Sequence, residues 1–156
     1  MSDSAPERFN ELTPHLVVPD ADEAAKWYAE ALGAEQGQRI ELPDGKVMSL
    51  ELRFGEAIVM LASEFPDAGI VSAVTIGGTA TVLQLYTDDI DRVWERAVVA
   101  GAQINHPLAD TFWGERHGQL VDPFGHRWNL ARRDRELSDE ELARGAAEAF
   151  GFDVED

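Results

Sequence analysis

The sequence predicts an α+β domain made of two copies of one β-α-β-β-β unit, and three observations carry that expectation. An apolar strand, an acidic corner, an amphipathic helix and Gly-Ala occur in that order twice, from Leu16-Val17-Val18-Pro19-Asp20 to Gly33-Ala34 and from Leu83-Gln84-Leu85-Tyr86-Thr87-Asp88 to Gly101-Ala102. The corner Asp and the Gly-Ala recur at a single shift of 68 residues, while the helix stripes between them are phased about two residues apart. Solenoid repeats have periods of about 20–50 residues, so this shift points to a fused pair of small modules. Finally, 156 residues with 44% hydrophobic and 28% charged side chains suit one soluble domain.

Each element follows from its local pattern. Residues 1–12 read as a polar leader with no signal-type apolar stretch, which sets a cytoplasmic expectation. Thr13–Val18 alternates as a strand and stops at Pro19-Asp20. Ala24, Trp27, Tyr28, Ala31 and Leu32 form a helical stripe, with Asp20 or Asp22 available as its cap and Gly33 as its end. Glu35–Leu42 and Lys46–Phe54 flank the turn Pro43-Asp44-Gly45, and Gly55-Glu56 turns into Ala57–Ala62. These elements make module one, 13–63.

Residues 64–80 form a linker with Pro66, Gly69, Gly77 and Gly78, in which Ile70–Ile76 suggests a short edge strand. Module two, 81–132, opens on Thr81–Thr87 and continues with the stripe Ile90, Val93, Trp94, Ala97 and Val98. Gln103–Asn105, Gly118–Val121 and Arg127–Ala131 are its later strands, and Asp122-Pro123-Phe124-Gly125 is the turn between the last two. Together the modules make one domain over 13–132. Residues 133–156 form an acidic helix and tail, where Ser138 and Glu141 have capping-box spacing.

Composition excludes several functions. The chain has no cysteine, which removes disulfides, thiolate metal sites and a cysteine nucleophile. A net charge of −17 repels phosphate backbones, so nucleic acid is not an expected partner. No apolar run approaches the ~20 residues that cross a bilayer. From Asp134 onward the net charge is −7, leaving −10 on the rest, a field that attracts cationic small molecules.

The string Phe112-Trp113-Gly114-Glu115-Arg116-His117-Gly118-Gln119-Leu120-Val121-Asp122-Pro123-Phe124-Gly125-His126-Arg127-Trp128-Asn129-Leu130-Ala131 resembles the vicinal oxygen chelate superfamily, which joins glyoxalases, bleomycin resistance proteins and extradiol dioxygenases. Leu12-Thr13-Pro14 and the Trp27-Tyr28 pair are similar to its PhnB-like branch. The resemblance covers about Leu12 to Arg133. It implies a curled mixed sheet with a concave ligand cavity, helices on the convex side and a site commonly completed by a homodimer.

On that fold, strand alternation sorts the side chains. Thr13, His15 and Val17, Ile58, Met60 and Ala62, Val82, Gln84 and Tyr86, and Arg127, Asn129 and Ala131 are expected on the concave face. Leu16, Val18, Leu83, Leu85, Trp128 and Leu130 are expected under the helices. Metal-using members draw ligands from four strands, and the matching slots here are Thr13, Met60, Val82 and Asn129. A two-residue register change brings in His15 and Gln84 but no carboxylate. No metal or other cofactor is therefore expected.

The expected ligand-binding residues are His15, Met60, Gln84, Tyr86, Trp113, Arg116 and Asn129. Amides at Gln84 and Asn129 both donate and accept, and Trp113 lies in a polar segment where an indole can stack on a ligand. Met60 and Tyr86 also suit plain lining. Glu115 and Arg116 are expected in a loop, holding a charged group or forming an internal ion pair. His126 is expected to bond within its hairpin, and Trp27, Trp94 and Trp128 are expected in the core. The resulting reading is a protein that binds a small molecule of cationic or aromatic character without a catalytic metal. The alternative is a lyase, isomerase or oxygenase of the glyoxalase type, either metal-dependent or using His15 as acid/base, with His117 and Glu51 as further candidates. A third possibility is an interaction module with a vestigial cavity.

Overall fold

A computed structural model describes residues 5–154. Strand β1 (His15–Val18) leads into helix α1 (Ala21–Leu32), whose first turn is closed by the Asp20 carboxylate accepting from the Glu23 N–H at 3.0 Å. Gly33 ends the helix at φ 72°, a left-handed conformation in which a side chain would be strained. Asp22, the other expected cap, lies in the first turn and pairs with Lys26 and Arg39. The predicted stripe is the buried one: Ala24, Tyr28, Ala31 and Leu32 are enclosed, with Trp27 packed beside them.

Strands β2 (Glu35–Glu41), β3 (Val47–Phe54) and β4 (Ala57–Ser63) complete the first module, in the order β1-β4-β3-β2. The β1–β4 pair is parallel and the others are antiparallel. The second module repeats this plan. Strand β5 (Val82–Tyr86), helix α3 (Ile90–Val99) and strands β6 (Gln103–Asp110), β7 (Glu115–Val121) and β8 (Arg127–Arg133) form a sheet of order β5-β8-β7-β6. The two four-stranded sheets share no hydrogen-bond ladder, so the curl is open.

Alternation places side chains as expected in both modules. Leu16, Val18, Val59, Leu61, Trp128 and Leu130 are buried on the helix side, each such side chain contributing about 1.5–3 kcal/mol. The linker departs from expectation. Ile70 makes only an isolated bridge to Phe65, and Ala73–Ile76 is a short helix, α2, rather than an edge strand. Ser72 caps it, and the Glu64 carboxylate accepts from the Ser72 N–H at 2.8 Å, a local satisfaction that competes with strand pairing. The later strands of module two also run longer than expected, so Glu115 and Arg116 stand in β7 and not in a loop.

The Asp-Pro-Phe-Gly turn joins the modules. Asp122 is buried, and its Oδ1 accepts from the N–H groups of Phe124 at 2.9 Å and His126 at 3.0 Å. Its Oδ2 accepts from Trp128 Nε1 at 2.9 Å and from the Tyr28 hydroxyl of α1. Burial, and then the Asp122 charge, push the Tyr28 phenol well above its usual range, so it remains a donor. Trp27 Nε1 donates to the Ala100 carbonyl at 2.8 Å, tying α1 to the end of α3. His126 also bonds across the modules, its Nε2 lying 2.9 Å from the Val17 carbonyl rather than bonding within its own hairpin. Helix α4 (Asp139–Ala149) is capped by Ser138 as expected, and Gly145 lets it pack on Phe112. Among the described residues no helix is long and apolar enough to cross a membrane.

Candidate functional site

The sheet faces turned away from the helices carry most of the expected site residues. On the second sheet the registers set Gln84 beside Asn129 and Asn129 beside Gln119. A hydrogen-bonded chain results. Asn105 Nδ2 donates to Gln119 Oε1 at 2.5 Å, Gln119 Nε2 to Asn129 Oδ1 at 2.9 Å, and Asn129 Nδ2 to Gln84 Oε1 at 3.4 Å. Gln84 Nε2 reaches the Tyr86 oxygen at 2.8 Å. A hydrogen bond from the Tyr86 hydroxyl to Glu115, then burial and the Glu115 charge, raise the phenol above its usual pKa. Trp113 Nε1 closes the run by donating to Glu115 Oε1 at 2.6 Å.

This chain joins three of the expected residues, Gln84, Tyr86 and Asn129, to a fourth, Trp113. Glu115 is 9% exposed, whereas Tyr86 is 59% and Trp113 36% exposed, so the carboxylate is covered while the rings that bond it face out. The Trp113 ring stands edge-on to His117 at 5.4 Å and to Phe112 at 4.9 Å. Burial lowers the His117 pKa, opposed by the nearby Glu115 charge. The Trp-Gly pair has a steric reason. At Gly114, φ 88°, a Cβ would lie 2.5 Å from the Arg135 carbonyl oxygen, so only glycine admits the approach at which the Asp134 and Arg135 N–H groups donate to the Gly114 carbonyl.

The other expected residues lie elsewhere. His15 is exposed at the start of β1, in register with Met60 on the first sheet. Arg116 points to the helix side of β7 and pairs with Asp91 of α3 at 2.8 Å and with Asp110 at 3.4 Å, apart from the amide chain. Its ion pairs are therefore with residues outside the Trp-Gly loop.

The first sheet holds a different kind of wall. Glu51, on β3 in register with Met60, is 6% exposed. Arg8 of the leader covers it, with Nη2 at 2.6 Å and Nε at 3.0 Å from Oε1, and Nη2 also donates to Gln38 Oε1 at 2.9 Å. The guanidinium holds the Glu51 carboxyl below its usual pKa. Beside this pair opens a cavity of about 500 Å³, lined among others by Glu35, Arg53, Glu56 and Ile58. Periodicity gave no signal for the pairing, because its partners are 43 residues apart.

The donor set for a divalent cation is poor. The slots matched in the sequence are Thr13, Met60, Val82 and Asn129, but the register sets His15 beside Met60 and Gln84 beside Asn129, so the open faces offer one imidazole, one thioether and two amides and no carboxylate at these positions. Among the described residues no three or more His, Asp or Glu side chains converge as a metal site. These residues do not fit the imidazole and carboxylate shell that such ions require.

Comparison with known proteins agrees with the fold. The profile of the Glyoxalase/Bleomycin resistance protein/Dioxygenase superfamily matches residues 8–130. The chain is 37% identical over 134 residues to the uncharacterized protein Rv0887c of Mycobacterium tuberculosis, covering 84% of this chain and 79% of that one. Among solved structures it is similar to TioX from Micromonospora sp. ML1, with TM-score 0.64, 28% identity, and 80% of this chain and 98% of that chain covered. It shares the fold of TnmS3, an antibiotic binding protein from Streptomyces sp. CB03234, with TM-score 0.55, 22% identity, and 80% and 98% covered. An open pair of mixed four-stranded sheets, each carrying a helix on one face, together with a profile match over most of its length, makes this chain a member of the glyoxalase/bleomycin resistance/dioxygenase superfamily.

Proposed function

We propose that the protein binds a small planar organic molecule on the open face of its second sheet, without a catalytic metal, as a sequestering member of the superfamily. The observation that carries this reading is the run of amides and ring donors from Asn105 to Trp113. An amide can exchange an internal bond for one to a ligand and keep its polar atoms satisfied, and the exposed Trp113 and Tyr86 rings offer flat apolar surface beside it. The ligand class these groups suit is an aromatic molecule with polar substituents, and TnmS3, which shares the fold, is an antibiotic binding protein. The resemblance of Leu12-Thr13-Pro14 and the Trp-Gly-acid-Arg segment supports the PhnB-like branch, and a homodimer would cover the open faces. Calorimetric titration with a panel of aromatic and cationic antibiotics is the test. Saturable heat, reduced about tenfold in affinity by Gln84→Ala, supports the reading, since a lost hydrogen bond in a site costs about 1.4 kcal/mol. No heat across the panel overturns it. Metal content of protein purified without chelator tests the second clause, which near-stoichiometric nickel, zinc, manganese or iron defeats.

One observation favours a catalytic reading. His117, beside Trp113 and Glu115, is held neutral by burial and can take a proton from a bound molecule. Turnover of methylglyoxal with thiol, with or without added divalent ions, would promote the glyoxalase-type enzyme over the binding protein, and its loss in His117→Gln would name the base.

A further inference from the structure

We propose that the cavity on the first sheet is a separate subsite for a guanidinium or ammonium group, held by Glu51 and filled by the protein's own Arg8 until a cationic ligand displaces it. The proposal extends the small-molecule reading above, but it concerns the other sheet and other residues.

The first support is where the Glu51 countercharge comes from. Glu35 and Arg53, on paired strands, satisfy each other, and among the described residues the cation hydrogen-bonded to Glu51 comes from outside the sheet. Arg8 lies on an exposed segment, its side chain 50% accessible, while the carboxylate it covers is almost fully enclosed. A buried carboxylate is costly without a partner, and here the partner can leave with its segment.

Shape is the second support. Gly37 makes room for the carboxylate, since a Cβ there would stand 3.0 Å from Glu51 Oε2 and 3.1 Å from Glu51 Cβ. Gly37 and Gln38 fall where the β2–β3 register slips, between Gln36 and Arg39. The Gln38 side-chain Oε1, at this slip, accepts from the same guanidinium, so a cation meets two acceptors. The cavity of about 500 Å³ continues from this point past Glu56 and Ile58, enough for the body of a ligand whose cationic end sits at Glu51. The net charge of −17 concentrates cations at the surface.

Agmatine, a guanidinium on a short aliphatic amine, is the probe. Calorimetry on the intact chain and on Arg8→Ala is expected to show at least tenfold tighter binding to the variant, with Arg8→Lys between them. Adding Glu51→Gln to Arg8→Ala should abolish that binding, whereas Glu30→Gln, which removes one charge on an exposed face of α1, should leave it unchanged. On the intact chain, the Arg8 Nε–H resonance should move toward its solvent-exposed position as agmatine is added. Equal affinity in Arg8→Ala and the intact chain, or binding that survives Glu51→Gln, overturns the proposal. Antibiotic binding is scored separately with Trp113→Ala. A chain that takes agmatine through Glu51 and ignores every antibiotic sinks the second-sheet reading alone, and the reverse result sinks this subsite alone.

Discussion

The two modules share a backbone plan and differ in what their open faces are made of. The first sheet buries a carboxylate and pairs it with an arginine from a remote segment; the second carries a run of amides that satisfy one another in place and ends at Glu115, a covered carboxylate held by the Trp113 indole rather than by a cation. The difference shows that the duplicated frame constrains the helix side, where Leu16, Val18, Trp128 and Leu130 must pack, far more than the open side. A charged wall depends on a partner that can be taken away. An amide wall rearranges without leaving a bare charge.

The strongest way to break the comparison is to uncouple the modules. Asp122→Ala leaves the Tyr28 hydroxyl and the Trp128 N–H buried without their acceptor, and urea unfolding should show a loss of about 2–6 kcal/mol, about 1–3 for each buried donor left unsatisfied. Tyr28→Phe, which removes only one donor, should cost about 1–2 kcal/mol. Gly118→Ala comes next. A Cβ there would meet the Trp94 ring at 2.6 Å, and overpacking of this kind costs about 1–3 kcal/mol by the same measurement.

The helix caps sharpen the contrast between the repeats. The corner aspartate caps α1 directly, whereas α3 starts after Asp89, whose side chain makes no capping bond. Asp20→Ala should therefore cost about 1 kcal/mol and Asp89→Ala much less, read as urea midpoints. The smallest expected effect is the pH response of the second sheet. The folded pKa of His117 is lowered, so the native state favours the neutral ring. Its contribution is present above the unfolded value of about 6.5 and is lost as pH falls through the lower folded value. Proton NMR should place the His117 titration below that of a free imidazole, and His117→Gln should flatten the stability profile in that window.

Much of the fold was legible because it rests on local patterns. The stripe of Ala24, Tyr28, Ala31 and Leu32, the alternation around Trp128 and the turn residues all report their neighbours in the chain. On the open faces, alternation brought Gln84, Tyr86 and Asn129 together, since registry follows from strand pairing. Features set by distant partners were not legible. Arg8 and Glu51 meet through the docking of the leader, and His126 finds the Val17 carbonyl 109 positions earlier. Glu115 and Arg116 read as loop because they follow Trp-Gly, yet β7 continues through them by pairing with Arg133 and Arg132.

The hub at Asp122 bears on how such a duplicated chain can be divided. A fragment ending in the linker would lose Phe124 and Trp128 from around the Tyr28 ring together with the acceptor of its hydroxyl, and the complementary fragment would hold a carboxylate stripped of one of its four donors. Each half thus carries an unmet polar debt that only the other discharges. Co-expressed fragments should recover solubility together where neither does so alone.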